Sequence, residues 1–197
     1  MPPLKRVCVF CGSSSGARAA HRDAAERLGR EIATRGLGLV FGGGRTGLMG
    51  VVADAALAAG GHVIGVIPHA MIARELAHEG LQDLRVVASM HERKATMAEL
   101  SDAFIAAPGG FGTFEELCEA ITWTQLGLHG KRCGLLNVDG FYDPFLQLIG
   151  RAVDDGFIRP DGAGIVVSDP DPAVLLSRLS EPFHVSQAIW LVDPEET

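Results

Sequence analysis

The segment from Ala107 to Glu116 places a glycine turn between a short apolar run and two adjacent carboxylates, and it reads A-P-G-G-F-G-T-F-E-E. Glycine lets the backbone approach a ligand closely. A helix that begins in this turn aims its free N–H groups and the positive end of its dipole at an anion such as phosphate. Glu115 and Glu116 then supply acid, base or cation-stabilising groups. The pattern indicates a site that binds an anion and carries out chemistry beside it.

Each residue of the turn has a use in such a site. Pro108 fixes the exit of the preceding strand, and Gly109 and Gly110 can form a nest of N–H groups around an anion. Gly112 leaves room for the ligand, and Thr113 can cap the helix or contact the phosphate. The sequence therefore predicts that the backbone N–H groups of residues 109–113 hold a phosphate.

The two carboxylates lie on the helix that follows the turn. Successive helical residues point about 100° apart, so Glu115 and Glu116 cannot both face the same atom. One of them can line the pocket mouth with Thr122, which lies seven residues after Glu115 on the same helical face. The other can face the reacting centre. The alternative is a helix whose first acidic residues only complement its dipole.

A second glycine loop, G-G-G-R-T-G from Gly42 to Gly47, satisfies G-x-G-x-x-G between a strand and a helix. A dinucleotide site would need an acidic residue at the end of the next strand, but that strand ends Ile67-Pro68-His69. No G-K-[ST] follows either glycine run, which disfavours a Walker-type triphosphate site. Two interpretations remain: a phosphate or nucleotide cradle, or a tight turn that permits close helix–strand packing.

A third group of charges, His91-Glu92-Arg93-Lys94, opens another predicted helix. Paired cations at a helix start oppose the dipole, so Arg93 and Lys94 are costly there unless an anion is nearby. A solvated charge cluster is the ordinary alternative. The chain has only three lysines against fourteen arginines, which makes a lysine beside a glycine turn more informative than a general basic field.

Metal and redox chemistry are not indicated. The seven histidines form neither H-E-x-x-H nor H-x-x-E-H. Cys8 and Cys11 form C-x-x-C, but on a predicted strand, where residues three apart face opposite sides. We therefore interpret these thiols as buried structural groups, and Cys118 and Cys133 have no partner spacing.

These motifs depend on the elements that position them. Short apolar runs alternate with amphipathic stretches, which predicts an α/β fold: a Rossmann-like, doubly wound parallel sheet with helices on both faces. We expect one domain over 1–197, with a core of about 6–180 and a loosely held tail at 181–197. Predicted strands are 7–10, 37–41, 62–67, 84–87, 103–107, 132–137 and 165–167; predicted helices are 19–35, 47–59, 90–100, 113–126, 143–155 and 172–179, with a loop or short helix at 71–80.

Ligands of such sheets bind outside the carboxyl ends of the strands. Three loops qualify by composition: 12–16, 42–50 and 108–113. The formal net charge of −7 argues against a protein that coats nucleic acid, which needs a basic surface. No apolar run approaches ~20 residues, and no charged-then-apolar leader precedes Arg6. We expect a cytoplasmic protein that contacts neither nucleic acid nor membrane.

Taken together, four motifs resemble the LOG (Lonely Guy) family of cytokinin riboside 5′-monophosphate phosphoribohydrolases. They are F-C-G-S-S at 10–14, G-G-G-R-T-G-L-M-G at 42–50, M-H-E-R-K at 90–94 and P-G-G-F-G-T-F-E-E at 108–116. The resemblance covers about 6–179 without a departure in these motifs. It implies an N-glycosyl hydrolase that cleaves a purine nucleoside 5′-monophosphate into free base and ribose 5-phosphate. It also implies a homodimer, and no metal or other cofactor.

The resemblance also assigns roles to residues. Arg93 and Glu116 correspond to the catalytic pair. From the chemistry we expect the carboxylate to stabilise positive charge on the ribose and to orient or deprotonate the attacking water. Arg93 would position Glu116 or the ribose phosphate, or assist the departing base. The substrate-binding residues are Ser13, Gly43, Gly44, Glu75, Met90, Arg93, Lys94, Gly109, Gly110, Phe111, Gly112, Thr113, Phe114, Glu115 and Thr122.

Two other classes compete with this interpretation. Proteins with this motif have been described as lysine decarboxylases, which would require pyridoxal phosphate on a lysine. None of Lys5, Lys94 and Lys131 is well placed for that role, because the first precedes the fold, the second adjoins the phosphate cradle and the third lies in a loop. A non-catalytic nucleotide or molybdenum-cofactor carrier would need only the glycine turns, so Arg93 with Glu116 favours catalysis. The base remains open between N6-prenylated adenine, plain AMP and GMP.

Overall fold

The computed structural model describes residues 4–160 and 162–183, without the side chains of Arg74 and Glu75. Seven parallel strands form one sheet in the order β4-β3-β2-β1-β5-β6-β7. The strands are β1 Arg6–Phe10, β2 Gly38–Phe41, β3 Val63–Pro68, β4 Asp83–Val87, β5 Ala103–Ala106, β6 Cys133–Leu136 and β7 Val166–Asp169. The helices are α1 Ala19–Thr34, α2 Gly47–Ala58, α3 Ile72–Glu75, α4 Met90–Leu100, α5 Phe111–Gln125, α6 Asp143–Asp154 and α7 Pro172–Leu179, with 3₁₀ turns at His69–Met71, Val138–Gly140 and Gly162–Ile165.

Helices cover both faces of the sheet, which confirms the predicted doubly wound α/β fold. Val7 and Val9 of β1 join one buried cluster with α1, α2 and α7. Phe10, whose side chain points to the opposite face of the sheet, joins a second cluster with α4 and α5. Each fully buried aliphatic or aromatic side chain in these layers contributes about 1.5–3 kcal/mol of hydrophobic stabilisation. Alternation along β1 thus builds two cores from one strand.

The C-x-x-C of β1 follows the same alternation. Cys8 packs in the α4–α5 cluster, whereas Cys11 packs in the α1–α2 cluster. All four cysteines are free. The prediction that Cys8 and Cys11 face opposite sides as buried thiols is confirmed.

The topology creates a crevice between β1 and β5. From β1 the chain passes to β2 on one side, while β5 pairs with β1 on the other. At such a switch point the loops after the two strands diverge to opposite faces and leave a ligand crevice at the carboxyl edge. Here the two loops are in direct contact, because the Gly12 N–H donates to the Pro108 carbonyl at 3.0 Å. The first and third of the predicted ligand loops therefore meet.

Several boundaries differ from the prediction by one or two residues, and two of these differences have clear reasons. The sequence predicts that β3 ends at Ile67, but Pro68 forms its last residue and pairs with Val87 of β4. On its other side β2 has already ended, since Phe41 pairs with Gly65, so the missing proline N–H costs no ladder hydrogen bond there. Helix α5 begins at Phe111 rather than Thr113, which brings Gly112 into the first helical turn.

The expected loose tail falls mostly on residues 184–197, which lie outside the described part of the chain. Residues 181–183 follow α7, and the Arg132 guanidinium lies 4.8 Å above the Phe183 ring. Within residues 4–160 and 162–183, no helix combines the length and the apolar composition needed to cross a bilayer.

Candidate active site

The N-terminus of α5 presents unpaired backbone donors at the crevice. Gly110 is its N-cap, in an extended conformation and without a side-chain cap. The Phe114 N–H donates to the Gly110 carbonyl at 3.0 Å, so the N–H groups of residues 111–113 have no carbonyl partner inside the helix. These donors and the helix dipole favour an anion at this end.

Thr113 is not the helix cap, which corrects one use predicted for it. It is buried, and a Cβ on Gly109 would collide with its side chain. The same Cβ would lie 2.9 Å from the backbone nitrogen of Gly12. Thr113 therefore packs beneath the turn, and Gly109 is required where the turn, the helix and the first loop converge.

Gly110 and Gly112 have the opposite surroundings. A Cβ on either residue would meet no protein atom within 4 Å, and both residues are exposed. Neither has a positive φ. Protein packing and backbone conformation thus do not require glycine at these two positions, whereas close approach of a ligand would. Phe111 between them is 92% exposed.

The Gly42–Gly47 loop is occupied by protein contacts. A Cβ on Gly42 would collide with the Arg93 guanidinium, and one on Gly47 with the Ser13 backbone. Gly43 and Gly47 have positive φ values of 76° and 59°. Gly43 and Gly44, which were assigned to substrate, are buried. Close packing therefore accounts for this loop, and the Leu48 N–H joins it to the Gly12 carbonyl at 2.9 Å.

Arg93 is a buried side chain that donates hydrogen bonds to two backbone carbonyls, and it is not a solvated charge. It is 4% exposed. Its Nε donates to the Val66 carbonyl at 3.1 Å and its Nη2 to the Gly42 carbonyl at 2.7 Å, while Nη1 lies 3.8 Å from the Met90 sulfur. The planar fork of the guanidinium suits this double contact. Arg93 thereby joins α4 to the carboxyl ends of β2 and β3.

Lys94 extends from the next position of α4 towards α5. Its Nζ lies 2.5 Å from Glu115 Oε1 and 3.0 Å from Glu119 Oε1. Burial lowers the pKa of Lys94, but the hydrogen bonds with Glu115 and Glu119 outweigh it and the net pKa is raised. Lys94 is therefore a cation that ties α4 to the second and third turns of α5 through Glu115 and Glu119.

Glu116 faces the interface of α4 and α5. It is half-buried and, with Phe10, Phe104 and Trp123, lines a cavity of about 10 Å³. That volume is at the lower limit for one water molecule. The carboxylate is thus held in a narrow space next to Lys94, which lines the same cavity.

The charges of both Arg93 and Glu116 act on Cys8 of β1. Burial first, and then the negative charge of Glu116, raise the pKa of Cys8, whereas the charge of Arg93 lowers it. Burial and Glu116 also raise the pKa of Cys11 well above its usual range. Both thiols therefore stay protonated and are poor nucleophiles. Arg93 and Glu116 therefore both act on Cys8, the middle residue of β1.

A cleft of about 600 Å³ opens on the other side of that turn. Ser13, Gly109 and Gly110 line it, so the structure brings these three assigned residues together. Its lining residues are Gly12, Ser13, Ser14, Ser15, Gly16, Ala17, Arg18, His21, Leu48, Pro108, Gly109, Gly110, Asp139, Gly140 and Phe141. Arg93, Lys94 and Glu116 are not among them and lie on the α4–α5 side of the turn.

The remaining assigned residues are more dispersed. Thr122 donates to the Cys118 carbonyl at 2.7 Å and lines a separate apolar groove between α5 and α6. Phe114 stacks on Phe141 with ring centroids 6.3 Å apart. The side chain of Glu75 lies outside the described residues.

Three charged or titratable residues of the cleft were missed by the sequence analysis. Arg18 Nη1 lies 3.5 Å from Asp139 Oδ2 across the cleft, and His21 stacks edge-on against Phe141 at 5.7 Å. Arg18 and His21 follow the Gly12–Gly16 loop, and Asp139 follows β6. Extending the carboxyl-edge rule past Gly16 and to the loop after β6 would have found them.

The lysines do not provide a site for pyridoxal phosphate. Lys5 and Lys131 precede β1 and β6, which places both at the amino edge of the sheet, away from the glycine turn. The Lys131 Nζ donates to the Ala98 carbonyl at 2.6 Å. Lys94 is paired with two carboxylates. Among the described residues, no group of three or more His, Cys, Asp or Glu side chains is arranged to hold a metal ion.

Comparison with known proteins gives consistent matches. Residues 49–179 match the family described as "Possible lysine decarboxylase". A protein of Oryza sativa subsp. japonica named cytokinin riboside 5′-monophosphate phosphoribohydrolase LOG is 54% identical over 189 residues, covering 95% of this chain and 78% of that protein. The Arabidopsis thaliana protein with the same activity name and the label LOG3 is 53% identical over 178 residues, covering 90% and 83%.

Solved structures share the fold at low sequence identity. The molybdenum cofactor carrier protein of Chlamydomonas reinhardtii aligns with a TM-score of 0.67 and 22% identity, over 88% of this chain and 94% of its own. The molybdenum cofactor binding protein of Rippkaea orientalis aligns with a TM-score of 0.62 and 21% identity, over 90% and 98%. These likenesses concern the fold alone.

Proposed function

The chain belongs to the LOG family of cytokinin riboside 5′-monophosphate phosphoribohydrolases, and we propose on that premise that it hydrolyses the N-glycosidic bond of purine riboside 5′-monophosphates. The products are the free base, an active cytokinin or adenine, and ribose 5-phosphate. The observation that carries the proposal is 54% identity to a named phosphoribohydrolase over 95% of the chain.

The phosphate binds at the start of α5 in this proposal. Support comes from the unpaired N–H groups of residues 111–113 and from the open space at Gly110 and Gly112. Ser13 and the cleft adjoin the same turn and supply further polar contacts. Because a monoester carries up to two negative charges, Arg18 at the cleft strengthens this end of the site.

Glu116 acts on the ribose. As the C1′–N bond breaks, its electron pair moves to the base and positive charge develops on the sugar, as in glycoside hydrolysis. A carboxylate beside C1′ stabilises that charge and accepts one proton of the attacking water, whose oxygen bonds to C1′. The departing base nitrogen takes up a proton from solvent. The buried position of Arg93 between two carbonyls supports a positioning role for it.

Neither competing class is favoured. A decarboxylase would need a lysine free to form a Schiff base, and the three lysines are placed as described above. Likeness to molybdenum cofactor carriers below 25% identity supports no shared ligand.

Assembly and location are further parts of the proposal. We propose a homodimer, supported by an apolar groove of about 310 Å³ between α5 and α6 that includes Thr122, Phe145 and Leu148. The four free cysteines are consistent with a reducing compartment, which supports a cytoplasmic location.

A substrate panel tests the activity. Purified protein is incubated with isopentenyladenosine monophosphate, AMP and GMP, and with adenosine as a control that lacks the phosphate, and free base and ribose 5-phosphate are quantified. We expect base release from at least one monophosphate and much slower release from adenosine. Monophosphates that remain intact would show that the proposed activity is wrong.

A further inference from the structure

A short segment after α3 pairs with the Gly42–Gly47 loop. The His78 N–H donates to the Gly43 carbonyl at 2.9 Å, and the Arg45 N–H donates to the Leu76 carbonyl at 3.0 Å. Between these bonds, Gly44 and Ala77 form an antiparallel bridge. Residues 43–45 are therefore held like a strand edge by residues 76–78.

The side chain of His78 anchors this segment. It is 7% exposed, and its Nδ1 accepts from the Gly80 N–H at 3.2 Å. Since Nδ1 is the acceptor, Nε2 carries the proton and donates to Asp54 Oδ1 of α2 at 2.9 Å. The ring also stands edge-on to Phe41 at the end of β2, 6.5 Å between centroids.

The anchored loop holds Arg93. Its first residue, Gly42, accepts the Nη2 hydrogen bond of Arg93 at 2.7 Å. A continuous set of contacts therefore runs from Asp54 through His78 and the glycine loop to Arg93. Leu76, inside the anchored segment, has a left-handed backbone with φ 49°, which is uncommon for a residue with a side chain and needs surrounding contacts to persist.

We propose that His78, held by Asp54, is a positioning residue that sets the Gly42–Arg45 loop and through it the Arg93 guanidinium. The inference rests on the proposed function, because the reaction it serves is that hydrolysis. The G-x-G-x-x-G motif does not by itself reveal this role, because both Asp54 and His78 lie outside it.

Substitutions at Asp54 test the proposal, because this side chain is 73% exposed and its removal leaves the core packed. We expect Asp54→Ala to lower kcat about tenfold, as for the loss of a hydrogen bond to a charged group. KM for AMP should change little, because the phosphate contacts are assigned to α5. Asp54→Asn keeps an oxygen that accepts from Nε2 and should restore kcat to within about twofold of the parent.

Two further variants complete the design. His78→Phe keeps a ring against Phe41 but loses both side-chain hydrogen bonds, the one to Asp54 and the one from the Gly80 N–H. We expect that adding Asp54→Ala to this variant lowers kcat no further. Glu26→Ala is the matched control: it removes another exposed carboxylate that lines the same surface groove as Asp54, and kcat should not change. An unchanged kcat in Asp54→Ala, or an equal loss in Asp54→Asn, would overturn the proposal.

Amide hydrogen exchange gives a readout that does not depend on turnover. In Asp54→Ala the amides of Arg45 and His78 should exchange faster, and in Asp54→Asn they should not. If the parent protein releases no base, the proposed function fails, yet this exchange measurement still decides whether Asp54 and His78 hold the loop. Equal protection in Asp54→Ala and the parent would refute the anchoring.

Discussion

The two glycine loops at the carboxyl edge have similar composition and opposite surroundings. In the Gly42–Gly47 loop the space beside the glycines is filled, by Arg93 at one end and Ser13 at the other. At Gly110 and Gly112 it is empty. Glycine-rich loops after a strand therefore differ within this protein: one lets protein segments approach each other, and the other leaves open space that we assign to the ligand.

The largest expected effect concerns Glu116, on the helix that begins at the open turn. Glu116→Gln should lower turnover about 10²-fold or more, in line with general acid–base contributions, while nucleotide affinity is retained. The change replaces one carboxylate oxygen by an NH2 group, which removes the negative charge and keeps the side-chain volume nearly constant. Single-turnover release of adenine from AMP, with affinity measured by calorimetry, checks both parts. Release at the parental rate would remove Glu116 from the mechanism.

A substitution in the Gly42–Gly47 loop should lower the stability of the fold. Gly47→Ala imposes a positive φ on alanine and a collision with the Ser13 backbone, so we expect a loss of more than about 2 kcal/mol. For a chain of this size that corresponds to a fall in Tm of roughly 4–8 °C, measurable by scanning calorimetry. A variant that melts with the parent would show that the loop has room to relax.

A substitution at the open turn should weaken substrate binding and leave the fold intact. Gly112→Ala lies in the first turn of α5, where alanine is a better helix former than glycine, so stability should hold or rise by up to about 1 kcal/mol. The added methyl group enters the proposed ligand space, and KM for AMP should increase about tenfold or more. Unchanged KM would mean that the ligand does not approach this face, and the contrast between the loops would lose its functional meaning.

The smallest effect concerns the cleft beside the turn. Arg18 and Asp139 are exposed, so their ion pair adds little stability. Arg18→Gln should raise KM for AMP about two- to fivefold, with the difference shrinking at high salt because exposed charges are screened. Arg30→Gln, at another exposed pair on α1, serves as the control. If both variants behave alike, Arg18 has no specific role at the cleft.

Sequence periodicity and spacing predicted the framework well. Helices α4 and α7 have the predicted limits, and the opposed cysteines of β1 follow from strand alternation alone. These features depend on local pattern, which the sequence carries directly.

What the sequence did not reveal depends on contacts between distant segments. Nothing in G-G-G-R-T-G indicates that the Arg93 guanidinium fills the space at Gly42, because the two residues meet only in the folded sheet. The same holds for His78 and Asp54. Thr113 has a residue type suited to capping, but α5 starts two residues earlier and the threonine is buried.

A crystal structure of the Glu116→Gln variant with bound AMP tests the central claim most directly. We expect the phosphate at about 3 Å from the N–H groups of residues 111–113, with the side chain at position 116 against C1′ of the ribose. A phosphate bound away from the start of α5, or a residue 116 that points away from the sugar, would contradict it.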